Sequence, residues 1–369
     1  MIRRPLTSIL LAVSAAAFSG LLGAAEPAEN PLQRAQAMAK GGDMKGAIGL
    51  LKNAAEKGSA EAANALGELH LLGQGVTASP VEAARWFQQA ADASYPLAMV
   101  NLAMLLIKGG EGVPADPDKA QFLLRSAAEE GFAPAQVLMG KQAEKNGKDG
   151  GDPAEAREWY EKAAAQENPD ALLALARYLD EGIAGPRDLA KGFEMCHRAA
   201  VSGSPLAMNE VGVRYQKGLG IPADPTNAIG WFTVAAQRGL PAAQVNLGNC
   251  FEIGNGVLQD FALAGTHYMT AARQQFGPAL YLLAQLHERG QGTTPNPAYA
   301  YAYYTLAGAK SVEAARKKAE ELKPKLTAEQ LQEATKMIAD GGKPAETQAK
   351  SSTPAPAPKA ATSASKSKK

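Results

Sequence analysis

Residues 220–239 read GIPADPTNAIGWFTVAAQRG, and residues 112–131 read GVPADPDKAQFLLRSAAEEG. They begin 108 residues apart, three times 36, and share a Gly-x-Pro-Ala-Asp-Pro phrase that is either a site or a joint. Its Asp has equivalents at Asp43, Ser79, Asp116, Asp152, Asp188, Asp224, Asp260 and Asn296, spaced by 36 residues apart from one gap of 37 after Ser79. All eight are residue types whose side chain caps a helix by accepting from an orphan backbone N–H. Five precede a proline (Pro80, Pro117, Pro153, Pro225, Pro297). Proline suits the first helical turn, where its missing N–H has no intrahelical partner anyway. The phrase therefore reads as a joint, repeated because each unit of an internal repeat needs one.

The segment after each cap has helical periodicity. Ala228, Trp231 and Phe232 stand four, seven and eight residues beyond Asp224, matched by Ala83, Trp86, Phe87 and by Ala156, Trp159, Tyr160. Alanine pairs follow at 90–91, 163–164 and 235–236, where a neighbouring helix must come close. Gly58, Gly131, Gly203 and Gly239 then fit C-terminal caps that need positive φ. A second helix precedes each cap, as in AANALGELH, AMNEVGVRY, AAQVNLGNC and ALYLLAQLH, with small residues at Gly67, Gly212 and Gly248. It ends at Gly73, Gly109, Gly182, Gly218, Gly254 or Gly290. Each unit is thus helix A, a glycine-rich loop and helix B, and only stacking buries its apolar face.

The array is expected over 26–311, with units near 31–58, 59–94, 95–131, 132–167, 168–203, 204–239, 240–275 and 276–311. The first is short and suits an amino-terminal cap, and 132–167 has a degenerate loop, KNGKDGGD. Residues 312–340 read as two closing helices, the second opened by a Thr327–Gln330 capping box. From 341 to 369 Pro, Ala, Ser, Thr and Lys dominate without apolar periodicity, so disorder is expected. Residues 1–25 combine Arg3 and Arg4 with an apolar run from Ile9 and a small-residue exit. That predicts a secretory signal peptide with Glu26 as first mature residue, hence an exported, periplasmic or secreted protein with no stable membrane insertion after cleavage.

These residues resemble the Sel1-like repeat, a relative of the tetratricopeptide repeat. Residues 204–239 carry the pattern best, with Ala207, Val211-Gly212, Tyr215, Gly218, Gly220-Ile221, Asp224, Ala228, Trp231-Phe232, Ala235-Ala236 and Gly239. Residues 168–203 depart from it, with Met195-Cys196 in place of the aromatic pair. The resemblance implies an all-α, right-handed superhelical solenoid of α/α repeats. It also implies an adaptor that assembles protein complexes, in bacteria often in envelope assembly, signalling or host contact.

No catalytic constellation accompanies the repeat. The Gly-x-Gly triplets lack the rest of a phosphate-binding loop, and the capping Asp residues are too far apart for a calcium loop. His70 and His287 hold the slot of Tyr215, His267 that of Trp231, and His197 lies on a helix B, so all four read as packing or surface residues rather than ligands. Cys196 and Cys250 read as small buried apolar groups, with a disulfide as the second reading. Neither enzyme activity, metal nor cofactor is expected. The formal net charge is +1, but six Lys and one Glu fall in the tail, so the body is mildly acidic. That is not a nucleic-acid-binding footprint. The Lys-rich tail offers at most weak contact with anionic polymer.

What remains is surface. Positions 6, 10 and 13 of each unit share one face of helix A, the groove-lining face in tetratricopeptide-like solenoids. The candidates for binding a protein or peptide are Val100, Met104, Ile107, Arg177, Asp180, Asn209, Gln216, Asn249, Glu252, Tyr281, Gln285 and Glu288. Val100, Met104 and Ile107 form an apolar set that either meets a partner or packs against the short first unit. The rival function is a cell-envelope glycan-binding factor or cell-wall-acting enzyme with the solenoid as cradle. Aromatic residues make up only 6% of the chain, which argues against a sugar-stacking platform.

Overall fold

The computed structural model describes residues 30–145 and 151–342. The proposed signal peptide, residues 146–150 of the degenerate loop and the tail from 343 lie outside them. Among the described residues, helices alternate in the order expected of helix A and helix B. A short pair, α1 (Pro31–Lys40) and α2 (Met44–Glu56), opens the array. Helices A are then α3 (Ala60–Leu72), α5 (Pro96–Lys108), α7 (Ala133–Lys145), α9 (Pro169–Glu181), α11 (Pro205–Lys217), α13 (Pro241–Ile253) and α15 (Gly277–Arg289). Helices B are α4 (Pro80–Asp92), α6 (Pro117–Glu129), α8 (Pro153–Ala164), α10 (Leu189–Val201), α12 (Pro225–Gln237), α14 (Phe261–Arg273) and α16 (Pro297–Ala309). Last come α17 (Glu313–Leu322), a 3-10 turn at Lys323–Lys325, and α18 (Ala328–Ala339).

The joints work through local chemistry. Asp43, Ser79, Asp116, Asp188, Asp224, Asp260 and Asn296 each accept from the backbone N–H three residues on, and Asp152 from those of Ala154 and Glu155. Gly73, Gly182, Gly218, Gly254 and Gly290 end their helices in the left-handed region, where a side chain is costly. Gly109 departs, with φ 66° and ψ 179°, and a small bridge pairs Gly110 with Val113. That bridge lies in the loop carrying the extra residue of the 37-residue gap. Thr327 and Gln330 form a reciprocal capping box on α18.

Two compact units divide the chain, one ending at Leu123 and the other starting at Leu124, within α6. In the first, Ile48, Leu51, Leu66, Trp86 and a set of alanines bury together between successive helices. In the second, each helix from α7 to α16 packs on its neighbours in sequence, and α16 receives both α17 and α18. Helix A approaches helix B closely because it carries a glycine at the crossing: a Cβ on Gly212 would lie 2.6 Å from the Phe232 ring. Cys196 and Cys250 are buried and unpaired, and burial pushes their thiols up to about 12 and about 11. The architecture is an all-α solenoid of α/α repeats.

Candidate interaction surface

The face at positions 6, 10 and 13 of helix A is not a row of free side chains. In the second unit most of its polar groups already bind a neighbouring helix. Arg177 pairs with Glu144 on α7, and Asp180 pairs with Arg214 on α11. Asn209 accepts from Asn246 Nδ2 at 2.8 Å, and Gln216 Nε2 stands 3.8 Å from Cys250 Sγ. Tyr268 on α14 donates to Glu252 Oε2 at 2.6 Å and lies 2.7 Å from Asn249 Oδ1. Tyr304 on α16 donates to Glu288 Oε2 at 2.5 Å, and Lys318 Nζ lies 3.6 Å from Glu288 Oε1. Tyr281 rests against Tyr304 with ring centroids 5.6 Å apart, and Gln285 is half-buried.

In the first unit the same positions look different. Val100, expected on the open face, is only 8% exposed and belongs to the core, which removes it from the candidates. Met104 and Ile107 are 42% and 47% exposed, so packing against the short opening pair does not cover them. Leu71 on α3, in the register of Ile107, is 41% exposed. Between these rows Asn64 Nδ2 donates to Glu68 Oε1 at 2.9 Å, and Asn101 Nδ2 lies 2.9 Å from Asn64 Oδ1 and 3.3 Å from Glu68 Oε1. Burial raises the Glu68 carboxyl above its ordinary value, and the two amide donors oppose that shift.

Several of these partners were not singled out from sequence. Asn64, Glu68, Leu71 and Asn101 emerge only from the packing, whereas Glu144 and Arg214 left a trace in the spacing. One signal was present: Tyr160, Tyr268 and Tyr304 each follow an acid, Glu144, Glu252 or Glu288, by 16 residues. The phenol of a helix B thus meets a carboxylate on the helix A of its own unit. Where helix B carries Phe87 or Phe232 instead, position 13 is Leu71 or Gln216. Arg214 stands out in the same way, as the one charged residue in a slot that holds Leu69, Leu105, Gln142, Tyr178, Cys250 and Leu286 elsewhere. Its side chain is 2% exposed, bonded to Asp180 and 3.6 Å from Glu210 Oε1.

Three of the four histidines pack against aromatic rings. His267 stacks on Phe251, His287 stacks on Tyr303, and His197 meets the Trp231 ring edge-on. Burial lowers His267 and brings His287 down to about 4. Among the described residues, no group of three or more His, Cys, Asp or Glu is placed to hold a metal ion. No helix there is long and apolar enough to cross a membrane.

A capped helix A, a glycine-ended loop and a helix B locked into a glycine notch, repeated every 36 residues, define an α/α-repeat solenoid protein. The Sel1 repeat model matches residues 60–95, 96–132, 133–168, 169–204, 205–240, 241–276 and 277–312, each one residue later than the periods counted from the sequence. The chain belongs to the Sel1 repeat family. Members of this family are generally protein-interaction scaffolds and typically non-catalytic. Among solved structures, c5321, a protective antigen of uropathogenic Escherichia coli strains with an SLR fold, is 28% identical with a TM-score of 0.66. That match covers 80% of this chain and 63% of the other. A Sel1 repeat protein from Oxalobacter formigenes is 27% identical with a TM-score of 0.61, covering 84% of this chain and 98% of that one. A curated relative, chitin synthase regulatory factor 3 of Schizosaccharomyces pombe, is 34% identical over 128 residues, 34% of this chain but only 14% of that protein's length.

Proposed function

We infer that the chain is an exported, non-catalytic scaffold whose helix A face holds a protein or peptide partner. The observation that carries this reading is the exposure of Leu71, Met104 and Ile107 on one face of successive helices A. Large apolar side chains left partly in water on a concerted face are what a partner covers, since burying the exposed part of each recovers on the order of 1 kcal/mol. In the second unit, taken by itself, Tyr281 and Gln285 are the candidates on helix A. Recognition there draws on many modest contacts, with a few anchors supplying most of the energy. Export rests on the basic and apolar leader at 1–25, and a partner would accordingly be met in the cell envelope or outside the cell.

Affinity capture from envelope extract tests the reading, with the wild-type chain set against Met104→Asp and Tyr281→Ala. The expected result is a protein retained by wild type and lost from the variants, while Val234→Asp on the exposed side of α12 keeps it. Equal recovery by all of them contradicts it. The protein recovered from the native cell should begin at Glu26, and recovery of the uncleaved chain from the cytosol contradicts export.

A further inference from the structure

The helix A face of the first unit carries a combination found at no other pair of helices A described above. Asn64, Glu68 and Leu71 form one row on α3, and Asn101, Met104 and Ile107 form the matching row on α5, since spacings of three and four keep side chains on one face. The Asn101 bonds to Asn64 and Glu68, at 2.9 Å and 3.3 Å, set the two rows side by side. One end of the double row is therefore polar, and the other carries three apolar side chains that are 41%, 42% and 47% exposed. In the second unit, Arg177 is matched by Glu144, Asp180 by Arg214 and Glu288 by Lys318, while Glu252 takes the hydroxyl of Tyr268. Glu68 has neither a cation nor a hydroxyl: its hydrogen-bond donors are the neutral amides of Asn64 and Asn101, and among the described residues it forms no ion pair.

A carboxylate that has lost much of its water and has no cation recovers the most from a partner that supplies one. Next to it, Leu71, Met104 and Ile107 recover most from apolar contact. We propose that the α3–α5 face binds a peptide segment carrying a Lys or Arg for Glu68, followed within about one helical turn by aliphatic or aromatic side chains that cover Leu71, Met104 and Ile107. This rests on the reading of helix A as the partner face and adds the chemistry of the partner. An acidic segment is disfavoured there, because it would set a second carboxylate against a desolvated one.

The test is selection of a random-peptide display library on the full chain, repeated on Glu68→Lys, Glu68→Gln and Met104→Asp. All three changes are at half-buried or exposed positions, and circular dichroism checks that each variant folds. The expected result is enrichment of peptides that combine Lys or Arg with two or more of Leu, Ile, Met and Phe. Their affinity falls about tenfold on Glu68→Gln, becomes insensitive to salt there, and is lost on Met104→Asp. On Glu68→Lys the selected charge moves to Asp or Glu. No enrichment, enrichment without a charge preference, or a preference unchanged on Glu68→Lys overturns the proposal. In any of those cases, capture of a partner that depends on Met104 and Tyr281 still supports the broader reading, so the two fail separately.

Discussion

The Tyr268 hydroxyl lies inside the packing between α13 and α14, and the Glu252 carboxylate reaches in to accept its hydrogen bond. A buried phenol needs such an acceptor, which is why acid and Tyr recur together in this chain, and why Phe232 is paired with Gln216 instead. Tyr268→Phe should cost about 1 kcal/mol, and adding Glu252→Gln should recover most of it by recreating the Phe232–Gln216 arrangement; chemical denaturation of the three proteins measures this. Arg214 and Asp180 give an asymmetric prediction. Arg214 is 2% exposed while Asp180 is 27% exposed and can be hydrated. Asp180→Ala should therefore cost about 3 kcal/mol by stranding a buried guanidinium, and Arg214→Leu markedly less. Equal costs would contradict this reading of the pair. Sequence spacing offered both signals, but an unpaired offset does not say which helix supplies the partner.

At the scale of the element, the joints were the most legible part of the chain. A cap, its proline and a C-terminal glycine each act within one turn, so spacing along the sequence is spacing in space. The helix A face was legible as a face but not in its commitments. Position 6 of one unit meets position 7 of the next, as in Asn209 with Asn246, and that register is set by packing across some 37 residues. The ends of the helices B carry the same lesson in reverse. Gly58, Gly131, Gly203 and Gly239 have positive φ, and in the same register Ser94, Glu167, Gln275 and Ser311 adopt it without being glycine. A side chain there costs about 1 kcal/mol. Ser94→Gly and Ser311→Gly should accordingly raise the melting temperature. A fall in either would mean the serine side chain supplies something its backbone position does not show.

For the molecule as a whole, burial of His287 ties stability to pH. Its imidazole stays neutral in the folded chain down to about 4, whereas the unfolded chain protonates it near its ordinary value. The stabilisation is complete above that ordinary value and is lost as pH falls from there toward 4. His267, also lowered by burial, acts in the same direction. Glu68, raised by burial, acts oppositely at the acid end, because its protonation favours the folded state. His287→Tyr, the residue held by Tyr215 in the same slot, should flatten the melting temperature between those limits.

The repeat array is a frame whose recurring chemistry lies in the joints, which leaves the helix A face to discriminate. A photo-crosslinking side chain placed at Met104, and in a separate protein at Val234, locates the partner in the native cell. If the helix A face is the binding surface, Met104 yields a discrete adduct that Leu71→Asp abolishes, and Val234 yields none. A discrete adduct at Val234 with none at Met104 would place binding on the opposite side of the repeat and contradict that role.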